Sequence, residues 1–289
     1  MGIILGLSAA LFWGSADFLA RFSSHKIGAY RTLFYMQFLG FAGLGTYLII
    51  NQQLQHLIQT VSVEVWLWGL LAAGCNTFAS LTFYRALETG KLSLVSPVAA
   101  SYSAITAVLA FLSGESLGSV RLLGVGLALI GVIMAASSPA EAGEQTTSKG
   151  LNQGIIWAIC AAFGFGVTFW LLGFQVTPYL GGTTPVWLMR TFTIVFLFTL
   201  AFARKQELGP PRDRLTIWQV VGVGIFDTTA YVANGFGVLS DQVAVVTVLS
   251  SLFSAVTVLL AWIWLREKLS RFQWLGVCLI LVSVILVQY

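Results

Sequence analysis

Charged residues are scarce in this chain. Asp, Glu, Lys and Arg make up only 9% of its 289 residues, while 57% are hydrophobic. Soluble domains carry about 25% charged residues, so a water-soluble fold of this length could not cover its surface with so few charged side chains. The composition therefore predicts a membrane protein. The net charge of +4 then belongs to the loops and does not indicate a nucleic-acid partner.

The residues of metal and redox chemistry are also few, with three cysteines and two histidines. Cys75, Cys160 and Cys278 lie in apolar runs without CxxC or Cys/His spacing, and His25 and His56 lie in predicted loops. GxGxxG, GxxxxGK[ST] and HExxH are all absent from the sequence. We therefore predict no disulfide framework, no metal site and no cofactor. An intramembrane enzyme would need paired acid/base groups at one depth, which the sequence lacks, so we predict a protein that is not an enzyme.

Long apolar runs dominate what is present. A helix needs about 20 apolar residues to cross a bilayer, and backbone groups in lipid must be satisfied within their own segment. Ten spans meet this length: Gly2–Ala20, Ala29–Ile50, Val65–Ala86, Ser93–Leu112, Leu122–Ser138, Leu151–Gly173, Thr184–Ala203, Ile217–Leu239, Ala244–Leu265 and Phe272–Tyr289. The sequence thus predicts an all-α polytopic membrane protein with ten transmembrane helices.

The chain contains a duplication. Glu115–Met134 aligns with Glu267–Leu286 at an offset of 152 positions, and Gly14 aligns with Gly166 at the same offset. We predict two repeats, residues 1–140 and 151–289, joined by a linker at 141–150. Five helices per repeat is an odd number, so the second repeat must enter the membrane from the opposite side. Inverted repeats of this kind build many secondary transporters.

Positive charge predicts the orientation. Of the 15 Lys and Arg residues, twelve lie on one side, in the loops or, for Arg85, at the adjoining end of a span. Only Arg121 lies in a loop on the other side, and Arg31 and Arg190 lie inside spans. By the positive-inside rule the twelve face the cytoplasm. We therefore expect a multi-pass protein of the cell membrane with both termini outside the cytoplasm.

Apart from Arg85, which is the next-to-last residue of its span, four charged residues lie inside the predicted spans, where charge is costly and is by default a functional hypothesis. Asp227 lies near the centre of its span. It is either a proton or substrate site, or a fixed ion pair with Arg190. Asp17 and Arg31 lie near the predicted cytoplasmic ends of the first two spans. They could form a closing gate, or reach the headgroups without a mechanistic role.

Uncharged polar and aromatic residues interrupt the same spans. The candidates for the lining of a solute cavity are Asn76, Tyr84, Tyr102, Tyr231, Asn234 and Trp13. Polar side chains in membrane helices also serve as packing contacts between helices, and Trp13 could face lipid, so these alternatives stay open. Glycines at Gly124, Gly126 and Gly276 predict close packing of the fifth and tenth helices, or a homodimer through them.

Tyr84–Glu115, Val248–Leu286 and the FWG of Phe12–Gly14 resemble the EamA-like permeases of the drug/metabolite transporter superfamily. The resemblance implies a central cavity lined by helices 1 to 4 and 6 to 9, with helices 5 and 10 at the periphery. Relatives export amino acids, metabolites or drugs, some in exchange for protons, and some take up sugars. Many carry proline where Ser103 and Ser254 stand here, so the kinks that proline would cause are not expected from these residues.

These observations together predict a secondary transporter, and more specifically an exporter, of a small organic solute such as a metabolite, an amino acid or a drug-like compound. The transporter would work by alternating access. Coupling to protons is one version of this hypothesis. A sugar-type uptake permease and a non-transporting membrane scaffold are the alternatives. The expected partners are the solute and the lipid bilayer.

Overall fold

The computed structural model describes residues 1–90, 92–116, 118–136, 148–205, 208–265 and 271–286. Within these ranges the chain is almost wholly helical and contains no β-strand. The helices are α1 (Gly2–Ile27), α2 (Ala29–Ile50), α3 (Gln53–Thr60), α4 (Val63–Thr89), α5 (Leu92–Ala100), α6 (Tyr102–Leu112), α7 (Ser119–Ala136), α8 (Ser148–Leu171), α9 (Thr177–Leu180), α10 (Thr184–Arg204), α11 (Arg214–Val238), α12 (Val243–Ser250), α13 (Phe253–Leu265) and α14 (Arg271–Leu286). A π-helical turn, Leu172–Val176, joins α8 to α9.

Each predicted span coincides with one helix or with two consecutive helices. In the described residues, seven helical segments are long and apolar enough to cross a membrane, and Val98–Leu112 and Ser119–Gly131 are shorter apolar helices. Large apolar side chains such as Ile49, Phe111 and Phe202 are exposed on the outside of the bundle, as expected of a surface in contact with lipid. The chain is therefore an all-α polytopic membrane protein. Ten crossings remain a prediction, as does the 141–150 linker, of which residues 141–147 lie outside the described ranges.

Two predicted spans are broken at the same position of the repeat. The fourth span divides into α5 and α6, and the ninth into α12 and α13, so that Tyr102 and Phe253 begin the second segments. Serine hydroxyls near the breaks donate to carbonyls three residues earlier, from Ser101 to Val98 at 2.6 Å and from Ser251 to Val248 at 2.7 Å. Such bonds compete with the helical ladder and bend helices. The absence of proline at Ser103 and Ser254 therefore does not remove the break.

The two repeats run in opposite directions. Gly2, at the start of α1, packs against Asp241, which follows α11. We call this end of the bundle the N-terminal end, and the other the opposite end. The helix α2 returns to the N-terminal end, where Gln53 approaches Gly181, the residue that follows α9. Since α1 begins where α8 and α9 finish, the repeats are inverted.

Two equivalent threonine–glycine contacts, related by the inverted repeat, join the two halves of the chain. Thr257 Oγ1 of α13 lies 3.3 Å from the carbonyl of Gly14 in α1, and Thr106 Oγ1 of α6 lies 2.9 Å from the carbonyl of Gly166 in α8. Both glycines let the helices approach closely, because a Cβ on Gly14 would lie 2.5 Å from the Cβ of Val256. The first and sixth spans are thus each clamped to a broken helix of the other repeat.

Candidate functional site

A cavity lies between the two repeats at the middle depth of the bundle. Its volume is about 50 Å³. Its wall is mostly aromatic, with two carboxylates. The lining residues are Trp13, Asp17, Met36, Ser80, Phe83, Tyr84, Tyr102, Phe165, Phe169, Asp227, Tyr231 and Phe253. They come from α1, α2, α4 and α6 of the first repeat and from α8, α11 and α13 of the second.

Residues at equivalent positions of the two repeats face each other across the cavity. Trp13 and Phe165 are such a pair, and so are Tyr102 and Phe253. The rings are in contact: those of Tyr102 and Phe169 stack with centroids 4.8 Å apart, and that of Trp13 meets Tyr231 edge to face at 4.9 Å. The cavity therefore lies on the pseudo-twofold axis that relates the repeats.

A buried ion pair borders the cavity. Arg190 Nη2 of α10 lies 2.6 Å from Asp227 Oδ2 of α11, and the Arg190 side chain is only 1% exposed. Arg190 Nη1 also donates to Gln37 Oε1 of α2 at 2.7 Å, and its guanidinium lies 5.0 Å from the centroid of the Tyr231 ring. Trp13 Nε1 of α1 donates to the other Asp227 oxygen at 3.2 Å. The structure thus forms the Asp227–Arg190 pair and ties it to the first repeat on two sides.

The remaining predicted lining residues form hydrogen bonds around this pair. The Tyr231 hydroxyl donates to Asn76 Oδ1 at 2.7 Å, which joins α11 to α4. Ser250 Oγ, at the end of α12, lies 3.2 Å from Asn234 Nδ2 and 3.1 Å from the Tyr102 hydroxyl. The Ser250 hydroxyl therefore anchors one edge of the cavity wall at the break of the ninth span.

Tyr84 contributes to the wall from α4, with its hydroxyl 2.6 Å from the sulfur of Met36 in α2. Of the six predicted lining residues, Trp13, Tyr84, Tyr102 and Tyr231 thus line the cavity. Asn76 is one hydrogen bond from it through Tyr231, and Asn234 is two hydrogen bonds from it through Ser250 and Tyr102. Asn76, Arg190 and Asn234 support the wall rather than forming it.

Asp17 and Arg31 are not brought together. Asp17 is 7% exposed and lines the central cavity, where its Oδ2 has no hydrogen-bond partner among the described residues. Arg31 instead donates from Nη2 to the carbonyl of Gly209, in the segment before α11. The ion pair that the predicted gate required is not formed, because the first span continues as a helix to Ile27 and carries Asp17 to the depth of the cavity.

Polar contacts join the two repeats at both ends of the bundle. At the N-terminal end, Arg121 Nη1 lies 3.3 Å from Asp241 Oδ1 and 2.9 Å from Gln242 Oε1. Glu115 Oε2 accepts from the backbone N–H of Ala244 at 3.2 Å. Burial raises the pKa of Glu115, although the N–H donors of Ala244 and Val243 oppose this shift.

Polar contacts also join the two repeats at the opposite end of the bundle. Lys26 Nζ of α1 lies 2.5 Å from Asp213 Oδ2, and Asp213 also caps α11 by accepting from the N–H of Thr216 at 3.1 Å. The hydrogen bond from Lys26, followed by those from Thr216, lowers the pKa of Asp213 to about 2. The Tyr35 hydroxyl donates to the carbonyl of Leu208 nearby.

Gln37 is the main member of the site that the sequence analysis missed. It is fully buried and supplies a neutral acceptor for Arg190. A lone amide within the apolar second span was the available signal, because a buried amide needs a partner. The phenylalanines of the wall gave no such signal, since aromatic residues in a membrane helix face lipid equally well.

Comparisons with known proteins agree with this architecture. The sequence model of the EamA-like transporter family matches residues 1–137 and 152–289. An uncharacterized protein of Methanocaldococcus jannaschii is 32% identical over 133 residues, which make up 46% of this chain and 93% of that protein, so it is about as long as one repeat. An uncharacterized transporter of Synechocystis sp. is 25% identical over 82% of this chain and 71% of its own length. A solved crystal structure, 18% identical, has the same fold, with a TM-score of 0.73 over 99% of this chain and 95% of its own.

Proposed function

Because the chain belongs to the EamA-like transporter family, we propose that its central cavity binds a small organic solute and that the two repeats carry this solute out of the cell by alternating access. Family membership makes the chain a membrane transporter of the drug/metabolite type. Beyond this membership we propose the site, the kind of solute, the direction of transport and the mechanism.

One observation carries the proposal. The cavity lies on the pseudo-twofold axis, and equivalent residues of both repeats wall it, as with Trp13 and Phe165. A site on the axis of inverted repeats can be reached from either side by equal and opposite movements of the repeats. A cavity volume of about 50 Å³ accommodates only a few water molecules, so entry of a solute requires the repeats to separate at one end.

The contacts at the two ends supply the alternating closure. Arg121 and Asp241 join the repeats at the N-terminal end, and Lys26 and Asp213 join them at the opposite end. Opening toward one side breaks one set while the other keeps the cavity closed. The excess of basic residues at the opposite end supports its placement in the cytoplasm. In this scheme Arg31 belongs to the cytoplasmic closure through its contact with Gly209.

The Asp227–Arg190 pair has a supporting role in the proposal. Arg190 compensates the Asp227 charge and uses its other bonds to fix Gln37, while Asp227 fixes the Trp13 ring in the wall. The pair therefore holds α10 and α11 of one repeat against α1 and α2 of the other at the depth of the solute.

Cysteine labelling tests the proposal without knowledge of the solute. Ser80 lines the cavity, whereas Ser103 is fully buried away from it. In a background in which the three native cysteines are replaced by serine, we expect Ser80→Cys to react with a membrane-impermeant maleimide in both right-side-out and inside-out vesicles. Ser103→Cys is the matched control and should react in neither.

Labelling of Ser80→Cys from one side only would contradict alternating access, and labelling from neither side would favour a scaffold with a closed interior. Solute counterflow in proteoliposomes, run with amino acids, sugars and organic cations, then identifies the solute class. Trp13→Ala should reduce counterflow, whereas Phe163→Ala, which is 62% exposed on the outside of α8, should not.

A further inference from the structure

We infer that the solute is an organic cation and that the Asp17 carboxylate is its counter-ion in the central cavity. This inference rests on the proposed function, since it assigns a solute class to the same cavity.

Asp17 is the one carboxylate of the cavity wall that no cation neutralises in the described part of the chain. Its side chain is more than nine-tenths buried, it lines the cavity, and its Oδ2 has no hydrogen-bond partner among the described residues. A buried carboxylate without a partner is costly, and a charged ligand that entered the cavity would supply the missing interaction.

The other titratable groups around the cavity do not supply that charge. Asp227 of α11 is already engaged by Arg190 of α10 at 2.6 Å. The remaining groups are the hydroxyls of Tyr84 on α4, Tyr102 on α6 and Tyr231 on α11, which bond to Met36, Ser250 and Asn76 respectively. With both carboxylates ionised, the site carries one net negative charge, which favours a cation over a neutral solute or an anion.

The rest of the wall indicates which kind of cation fits. Eight aromatic side chains line the cavity together with Asp17, among them Trp13, Phe169 and Tyr231. Aromatic faces attract quaternary ammonium groups through their quadrupoles. The wall offers few neutral acceptors besides Ser80, so a cation that needs few hydrogen bonds, such as a quaternary or aryl-alkyl ammonium, matches it best.

The repeat shows that the fold itself does not need an acid at this position. The counterpart of Asp17 in the second repeat, 152 positions later, is Phe169, which lines the same cavity. A phenylalanine therefore satisfies the packing at the equivalent position. In the described part of the chain, the Asp17 Oδ2 forms no hydrogen bond that would account for an acid at position 17.

Equilibrium binding to the full chain in lipid nanodiscs tests the inference. The probes are choline, benzyltrimethylammonium and 3,3-dimethyl-1-butanol, the last of which has the shape of choline with carbon in place of nitrogen. We expect isothermal titration calorimetry to show saturable binding of at least one of the two cations, and binding of the neutral probe at least tenfold weaker than that of choline when choline binds. Asp17→Asn should weaken cation binding at least tenfold, and Asp17→Glu should retain most of it.

Glu64→Gln is the matched control, because it removes an acidic charge from the exposed start of α4 and should leave binding unchanged. Size-exclusion chromatography establishes whether each variant is folded. If Asp17→Asn does not fold, Phe169→Leu replaces it. That variant removes one ring of the wall and should weaken cation binding while leaving the neutral probe unaffected.

The inference is overturned if neither cation binds, if the neutral probe binds as tightly as choline, or if Asp17→Asn retains wild-type affinity. Its failure is distinct from failure of the proposed function. If Ser80→Cys is labelled from both sides but the binding experiment shows no preference for cations, the transporter mechanism is retained and the cation assignment fails. If cations bind in an Asp17-dependent way but Ser80→Cys is labelled from one side only, the cavity is a binding site without alternating access.

Discussion

The buried pair of Arg190 and Asp227 allows a quantitative prediction. Its charged atoms lie 2.6 Å apart, and the side chains are 1% and 14% exposed. Two unit charges about 4 Å apart interact by about 4 kcal/mol at an effective dielectric constant of 20. Removal of one partner from a buried pair costs about 3–5 kcal/mol, because the other charge remains buried without compensation.

We therefore expect Asp227→Asn and Arg190→Gln each to destabilise the protein by about 3–5 kcal/mol. At about 2–4 °C per kcal/mol, this lowers the melting temperature by roughly 6–20 °C. The double variant should lose much less than the sum of the two, since neither charge is then left alone. Thermal unfolding of purified protein in detergent, followed by intrinsic tryptophan fluorescence, measures all three variants and the wild type.

Glu88→Gln is the control for this double-mutant cycle of Arg190 and Asp227. Glu88 pairs with Arg85 at 2.7 Å within one helix, but the side chains are 28% and 59% exposed, so the pair should contribute less than about 1 kcal/mol. Single variants at Arg190 and Asp227 that melt within about 2 °C of the wild type, or a double variant that loses the sum of both, would refute the assignment of this pair as a coupled anchor of the site.

Three further predictions concern packing, pH and the closing contacts. Gly14→Ala should destabilise by about 1–3 kcal/mol because its Cβ would meet the Cβ of Val256 at 2.5 Å, whereas Gly43→Ala, where nothing lies within 4 Å, should be neutral or slightly stabilising; thermal unfolding compares them. The pKa of Asp213 is about 2 in the folded protein and about 3.9 when unfolded, so its contribution to stability is present above pH 4 and is lost as the pH falls toward 2. Asp213→Asn should accordingly flatten the melting temperature between pH 2 and 4, and an unchanged slope would contradict this. Arg121→Ala removes two bonds of the N-terminal end and should increase maleimide labelling of Ser80→Cys from that side; equal labelling would show that Arg121 is not part of the closure.

The structure modifies the sequence-based interpretation at identifiable residues. Asp17 and Arg31 lie near the predicted cytoplasmic ends of two consecutive spans, which suggested a gate, yet Asp17 lies in the cavity wall and Arg31 bonds to Gly209. Proximity in sequence could not decide this, because the direction of a side chain depends on the rotation of each helix about its axis. The serine-based breaks at Tyr102 and Phe253 were not expected, since local hydroxyl bonds leave no mark in a hydropathy profile.

The repeat itself could not predict the charged cluster. Asp227 corresponds to Cys75 in the first repeat, and Asp17 corresponds to Phe169 in the second. The two carboxylates therefore break the symmetry that the duplication establishes. The sequence could name an ion pair between Asp227 and Arg190 as one of two alternatives. It could not predict the hydrogen bonds of Gln37 to Arg190 and of Trp13 to Asp227, which complete the cluster.

The sequence by itself determined that this chain lies in a membrane and that its apolar spans are helices, and it predicted two inverted repeats of five helices each. These properties follow from hydropathy over about 20 residues and from the parity of the helix count, which need no knowledge of which helices touch. Only the tertiary structure decided that Arg190 neutralises Asp227, while Asp17 lines the cavity with no cation paired to it among the residues that the structure describes. That outcome depends on which helix faces pack together over separations such as the 214 positions between Trp13 and Asp227, and the local pattern of residues does not encode it.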